Sequence, residues 1–392
     1  VFNTEQELNL VDYILRANAI YFGLTPREVR QVAYSYGTFI QAKMPPSWVE
    51  NERAGVDWFS SFLKRHPILS IRTPEATSLA RVSAFNPITV KRFFDNLKEI
   101  LDEYPFTSAE IWNCDETGVT TVQKPTKIVG KRGERQTGRI TSGERGKLVT
   151  MIVAVNAIGH STPPYFIFPR VKYASFLVEH GPVGSTGSAN PSGWMNEDIF
   201  VEFLKHFAMY SRCSKERPVL LLLDNHSSHI SVAAINFARG NGIIMLSLPP
   251  HCSNKMQPLD VSVYGPFKKA YNTACDSWIT NNPGKMMTYH SIPGIVKTAI
   301  SVSITPRNIV AGFKKTGIQP FNSEIFNESD FLPASVTDRS KPIGEIESVS
   351  IESVNKLATN DATEYSAELA PISDKQQQIE LTPQVAVSEP ST

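Results

Sequence analysis

The sequence predicts a mixed α/β sheet with flanking helices, preceded by a small all-helical unit. Three observations carry this. Up to about residue 105, apolar residues recur at helical spacing behind clear capping signals. After Pro105, short β-branched or leucine-rich runs alternate with helical patterns. The run Pro218-Val-Leu-Leu-Leu-Leu-Asp224 has almost no polar break, as a central strand buried on both faces requires.

The helical unit opens with Glu5 to Phe22, which carries Leu8, Val11, Leu15 and Ala19 at helical spacing. A second helix begins at Thr25-Pro-Arg-Glu28, where Thr25 caps, Pro26 fits the first turn and Glu28 completes a capping box. Pro45-Pro46 is read as the end of that unit. A third helix from about Val56 to Arg65 sets Trp58, Phe59 and Phe62 on one side and ends in Lys64 and Arg65. A basic third helix in a three-helix unit suggests a helix-turn-helix contacting DNA phosphates through Lys64 and Arg65. Asn86-Pro87 opens a fourth helix, through Phe93, Phe94, Leu97 and Leu101, read as a bridge to the next domain.

In the second domain, strands are expected at Ile111 to Gly118, Leu148 to Ala157, Tyr165 to Phe168, Val219 to Leu223 and Ile243 to Leu248. Helices are expected from Asn196, from about Val232 to Arg239 and from about Gly265 to Trp278. The stretch at Gly187-Ser-Ala is read as a Gly/Ser-rich surface loop.

The chain has 392 residues, 41% hydrophobic and 20% charged, which fits a globular protein of more than one domain. No apolar run approaches the ~20 residues of a membrane helix, so no membrane partner is expected. Four scattered cysteines form no C-x-x-C pair, which argues against a disulfide framework or zinc ribbon. Neither a Gly-rich ATP cradle nor a serine nucleophile elbow occurs. The opening Val-Phe-Asn-Thr-Glu reads as neither a signal peptide nor a natural start, so upstream sequence is expected.

A net charge of +1 conceals an asymmetry: Asp330 to Thr392 carries −7 and the rest +8. The acidic end, poor in apolar residues, is expected to be disordered. Between Lys124 and Lys147 stand eight basic and two acidic residues among five glycines, including Lys131, Arg132 and Arg135. Such a loop suits a polyanion, because each phosphate neutralised releases counterions.

Asp115 and Asp224 each close a hydrophobic strand, where ligand sites in α/β sheets gather, and Asp260 follows at the head of the next long helix. Taken singly, each fits a structural cap equally well. Three carboxylates at one edge repel one another unless cations hold them, and magnesium favours oxygen-only sites. Two such ions can activate water and stabilise the leaving oxygen of a phosphodiester. His226 and His229 have H-x-x-H spacing but no evident zinc-type partner set, and are read as structural.

Trp112-Asn-Cys-Asp-Glu-Thr-Gly118, Leu223-Asp-Asn-His-Ser-Ser-His229 and Gln257-Pro-Leu-Asp260 resemble the signature blocks of DDE transposases of the mariner/pogo superfamily, in particular its pogo, jerky and Tigger-like branch. Lys124-Pro125, Thr141-Ser-Gly-Glu-Arg-Gly146, Leu248-Pro-Pro-His251 and Phe267-Lys-Lys269 add to the match. Ala54-Gly-Val-Asp-Trp-Phe59, Phe62-Leu-Lys-Arg-His66, Leu69-Ser70 and Arg72-Thr-Pro-Glu75 resemble the second helix-turn-helix of centromere protein B and its relatives. The resemblance covers roughly residues 5–325. It implies an RNase H-like sheet with Asp115, Asp224 and Asp260 as catalytic metal ligands for Mg2+, with Mn2+ as a substitute. It further implies that water cuts a DNA strand at an element end and the freed 3′-hydroxyl attacks target DNA. DNA is the implied partner, a homo-oligomer is compatible with it, and the implied location is the nucleus. Two tandem helix-turn-helix units are usual in that family, and here the first is expected to be either absent or cut off before Val1.

The expected layout is a centromere protein B-type helix-turn-helix domain over 1–75, a linker and bridging helix over 76–105, the catalytic domain over 106–325 and a disordered acidic tail over 326–392. The rival reading is a catalytically silent DNA-binding chromatin or centromere-type protein derived from a transposase.

Overall fold

Asn3 caps helix α1 (Thr4–Ala19) with a full capping box closed by Gln6. Thr25 and Glu28 do the same for α2 (Pro26–Phe39). This is a computed structural model, and it describes residues 1–122, 128–133, 138, 141 and 146–335. Pro45-Pro46 starts rather than stops a helix: α3 (Pro46–Glu50) places proline in its first turn, where no amide hydrogen is needed, and buries Trp48. Helix α4 (Val56–Arg65) buries Phe59 and Phe62. Leu10, Val11, Ala33, Trp48, Ala54 and Phe62 form the core of this unit. Trp58 stacks on Phe62 with centroids 5.0 Å apart.

Two helices follow, α5 (Leu79–Ala84) and α6 (Pro87–Glu103), the latter capped by Asn86. Val90, Phe93, Phe94 and Leu97 of α6 are buried in the same core as the sheet residues Ile111, Met151 and Leu222. The segment expected as a bridge over 76–105 therefore contributes a structural layer to the α/β domain.

The sheet contains β1 (Ile111–Thr120), β2 (Leu148–Asn156), β3 (Tyr165–Phe168) and β4 (Thr186–Ala189). Then come α7 (Glu197–Ser211), β5 (Val219–Leu223), α8 (Val232–Gly240), β6 (Ile243–Ser247) and α9 (Ser253–Met256). A single π-helical turn, Leu259–Val263, runs into α10 (Tyr264–Asn281). Helices α11 (Ile292–Ser303), α12 (Pro306–Lys315) and α13 (Glu328–Ser335) complete the fold.

Strand order is β4-β3-β2-β1-β5-β6. β2 runs antiparallel to both β1 and β3, whereas β5 is parallel to β1 and to β6. This is the expected RNase H-like mixed sheet. Alternation along the strands divides the core. Ile111, Val119, Val153, Leu220 and Leu222 meet Phe94, Phe267 and Phe313 on one face. Trp112, Cys114, Ile152, Leu221 and Leu223 meet Phe200, Phe203 and Phe207 of α7 on the other.

Two expectations need correction. Gly187-Ser-Ala is not a loop but part of edge strand β4, paired parallel with β3. A Cβ at Gly187 would collide with the Phe166 carbonyl oxygen, so the residue that looked loop-like lets the strands approach. The first residues of the disordered tail expected over 326–392 are instead ordered as α13, which packs Phe331 on Phe85 with centroids 5.1 Å apart. Residues 336–392 lie outside the described residues, as do Lys124, Lys127, Arg135, Arg139 and Arg145 of the expected cationic loop.

Candidate active site

Parallel pairing of β1 with β5 matches Asn113 to Leu222. Continued two residues further, that register sets Asp115 level with Asp224. Asp115 does not end its strand as expected. β5 stops at Leu223, but β2 goes on pairing with β1 to Thr120, so Asp115 sits mid-strand where its other neighbour has just ended. That one-sided gap opens a cleft beside it.

Asp260 reaches the cleft on the π-helical turn. Asn113, fully buried, ties this turn to the sheet: its amide nitrogen donates to Leu222 O at 3.1 Å, and its Oδ1 accepts from Leu259 N at 3.2 Å. Tyr264 Oη donates to the Asp115 carbonyl at 2.5 Å. Behind the turn, Ser262 Oγ donates to Asn308 O at 2.6 Å. Gly312 of α12 packs so closely that a Cβ there would lie 2.5 Å from Pro258 O and 2.7 Å from Ser262 Oγ. Gly312→Ala should therefore push α12 off the turn and displace Asp260. The expected result is slower catalysis plus destabilisation of about 1–3 kcal/mol from overpacking. Unchanged melting and unchanged activity in that variant would show that the packing relaxes freely.

Electrostatics separate the three aspartates. Burial raises the Asp115 carboxyl well above its ordinary range, aided by the charges of Asp260, Glu116 and Asp224 and opposed by the Gln257 amide beside it. Asp260 is exposed, yet desolvation by nearby protein and the charge of Asp224 raise its carboxyl against the pull of Lys268 and Arg81. Burial also works to raise Asp224, but contact with His229 outweighs it and leaves that carboxyl below its usual range.

His229 and Glu116 are functional candidates that sequence reasoning missed. His229 is 2% exposed and lies between two carboxylates. Its Nδ1 is 2.7 Å from Asp224 Oδ1 and its Nε2 is 3.0 Å from Glu116 Oε1. These contacts outweigh the burial penalty and lift its pKa to about 10. Among the described residues, Glu116, Asp224 and His229 are the set whose potential ligand atoms converge within 4.8 Å. Asp115 and Asp260 couple electrostatically to Asp224 but are not drawn into that set. The H-x-x-H spacing and the Asp115-Glu116 pair were visible signals. Their meeting was not, because Glu116 lies 113 residues from His229.

The expected DNA contacts divide. Lys64 is exposed at the end of α4, and Lys131 and Arg132 are exposed. Arg65 is not a free cation: Nε donates to Glu7 Oε2 at 3.0 Å and Nη2 to Oε1 at 2.6 Å. That pair ties α4 to α1, and the Arg65 side chain remains 47% exposed.

Residues 145–313, which include Asp224 and Asp260, match the family described as DDE superfamily endonuclease. The chain is 29% identical over 228 residues to the MFS-type transporter clz9 of Cochliobolus lunatus, covering 57% of this chain and 24% of that protein. It is 24% identical over 302 residues to the pogo transposable element with KRAB domain of Homo sapiens, covering 71% and 46%. The chain thus spans less than half the length of these curated relatives. No helix among the described residues is long and apolar enough to cross a membrane. Of solved structures, the Mos1 strand transfer complex is similar at 14% identity and a TM-score of 0.45, with 81% of each chain covered. A pre-cleavage Mos1 transpososome also gives a TM-score of 0.45, at 14% identity, over 81% of this chain and 82% of that one.

Proposed function

We propose that this chain is a mariner/pogo-type DDE transposase, a reading supported by its similarity to the DDE superfamily endonuclease family and to pogo relatives, and that it cuts and joins DNA at Asp115, Asp224 and Asp260. The observation that carries this reading is that Asp115 on β1 and Asp224, the first residue after the adjacent parallel strand β5, act on each other's charge, with the turn bearing Asp260 tied to the sheet through Asn113. The donor set fits a hard divalent cation: it offers carboxylate oxygens, and desolvation and mutual repulsion disfavour their ionised state at Asp115 and Asp260. Asp115, Asp224 and Asp260 would hold Mg2+, with Mn2+ as a substitute. When bound, two such ions supply charge neutralisation at the scissile phosphate and an activated nucleophile. The chain's own work is to bind and orient. The π-helical turn presents Asp260, β1 presents Asp115, the connection after β5 presents Asp224, and exposed Lys64, Lys131 and Arg132 meet DNA phosphates. Water would open a strand at an element end, and the freed 3′-hydroxyl would then attack target DNA, in the nucleus.

The test is incubation of the full chain with duplexes bearing the inverted repeats that flank its own coding sequence. Magnesium-dependent cuts leaving 3′-hydroxyl ends, with no protein–DNA adduct, are expected. Tight binding of those duplexes without any cutting, in magnesium or manganese, would instead support the silent chromatin-protein reading. On the same duplex, Lys131→Ala with Arg132→Ala should make the log–log salt dependence of binding shallower by up to about 1.8, at about 0.9 for each phosphate no longer neutralised. Identical slopes would leave both residues in solvent.

A further inference from the structure

His229 forms a bridge whose two ends differ. At one end, Nδ1 makes an ion-pair contact of 2.7 Å with Asp224 Oδ1. The same oxygen accepts the His226 backbone N–H at 3.1 Å. Both contacts fall on Oδ1, and neither uses Oδ2. At the other end, Nε2 meets Glu116 Oε1 at 3.0 Å. The ring is packed against Phe200 of α7, with centroids 4.3 Å apart. Asp224 itself begins the connection that follows β5, where no strand ladder fixes it. A carboxylate there is free to rotate unless something holds one oxygen.

We propose that His229 is a positioning residue that immobilises Asp224 through Oδ1, so that Oδ2 is presented to a divalent cation in the cleft. Glu116 acts behind it, anchoring the far side of the ring and fixing its orientation. This rests on the reading of Asp224 as a metal ligand. The arrangement follows a general rule: partners that orient a ligating side chain govern metal affinity, and removing one typically weakens binding by about 10–100-fold. Glu116 is thereby assigned to the support of the site and not to its cation-binding edge. It neighbours Asp115 on β1, and side chains of adjacent strand residues point to opposite faces of the sheet.

Two amide substitutions separate the ends of the bridge. An asparagine amide places its nitrogen where Nδ1 stands, and a glutamine amide places it near Nε2. The experiment is calorimetric Mn2+ titration of the full chain as wild type, Asp224→Asn, His229→Asn, His229→Gln and His229→Ala, with metal-free melting temperatures measured in parallel. His229→Asn should keep an Mn2+ affinity close to wild type, whereas His229→Gln and His229→Ala should lose about tenfold or more. Wild-type affinity in all three His229 variants, beside a weakened Asp224→Asn, would overturn the positioning role and leave the active-site reading standing. So would His229→Gln binding better than His229→Asn, since the effect would then run through Glu116. Lowered melting in all three with unchanged Mn2+ affinity would also overturn it, by reducing His229 to a packing residue. Equal Mn2+ uptake by wild type and Asp224→Asn would overturn the active-site reading and this inference together.

Discussion

On the proposed function, Asp224→Asn should lower metal-dependent DNA cleavage by about a thousandfold, the loss of roughly 4 kcal/mol of transition-state stabilisation, and leave DNA affinity unchanged. Asp115→Asn should show a similar loss but a different stability signature. Asp115 ionises against burial and the charges of Asp260, Glu116 and Asp224, so neutralising it relieves strain in the metal-free protein and should raise its melting temperature. Asp224 is already held by His229, so its neutral variant gains nothing and leaves His229 buried beside an uncharged partner. The check is thermal unfolding of both variants in chelator, next to cleavage assays in magnesium. A stabilised Asp224→Asn or a destabilised Asp115→Asn would reverse the assignment of charge within the cleft.

The second large effect lies in the helical unit. Glu7 is 7% exposed and accepts from Arg65 twice, at 3.0 and 2.6 Å, while His66 Nε2 stands 2.9 Å away. Burial alone would raise its carboxyl, but these partners together hold it below the ordinary 4.5. Glu7→Gln should destabilise this unit by about 2 kcal/mol, the scale of hydrogen bonds to charged groups. The sign with pH follows from linkage. A carboxyl lowered on folding stabilises above its unfolded value, and that contribution fades as pH falls through the folded value. Wild type and Glu7→Gln should therefore differ at pH 7 and converge in acid below 4.5. Urea unfolding followed by tryptophan fluorescence reads this through Trp48 and Trp58, and a gap that persists undiminished in acid would assign the effect to packing.

Local signals carried most of the fold. Thr25 with Glu28, Asn86 before Pro87 and the four leucines of β5 each specify an element through short-range chemistry, and each stands where expected. Failures came where a distant partner decides. Leu8 lies on the apolar periodicity of α1 yet is 53% exposed, while charged Glu7 is buried because Arg65 and His66 wait 58 and 59 residues away. Gly187 reads as loop chemistry until β3 is laid beside it. The candidate site divides in the same way. The three aspartates stand out because each interrupts an apolar run, but His229 and Glu116 acquire a role only when β1 and the connection after β5 are brought together.

If carboxylate-held cations act on the scissile phosphate, a sulfur placed at the cut should change which metal supports cleavage. A cleavable duplex is prepared with sulfur in place of one non-bridging oxygen at the cut. Magnesium, which demands oxygen ligands, should then support cleavage poorly, and the more sulfur-tolerant Mn2+ should restore it. Recovery by Mn2+ in wild type, absent in Asp224→Asn, is the predicted result. Equal cleavage of the sulfur and oxygen duplexes in magnesium, or rescue that survives Asp224→Asn, would mean that no cation held by Asp224 touches the scissile phosphate.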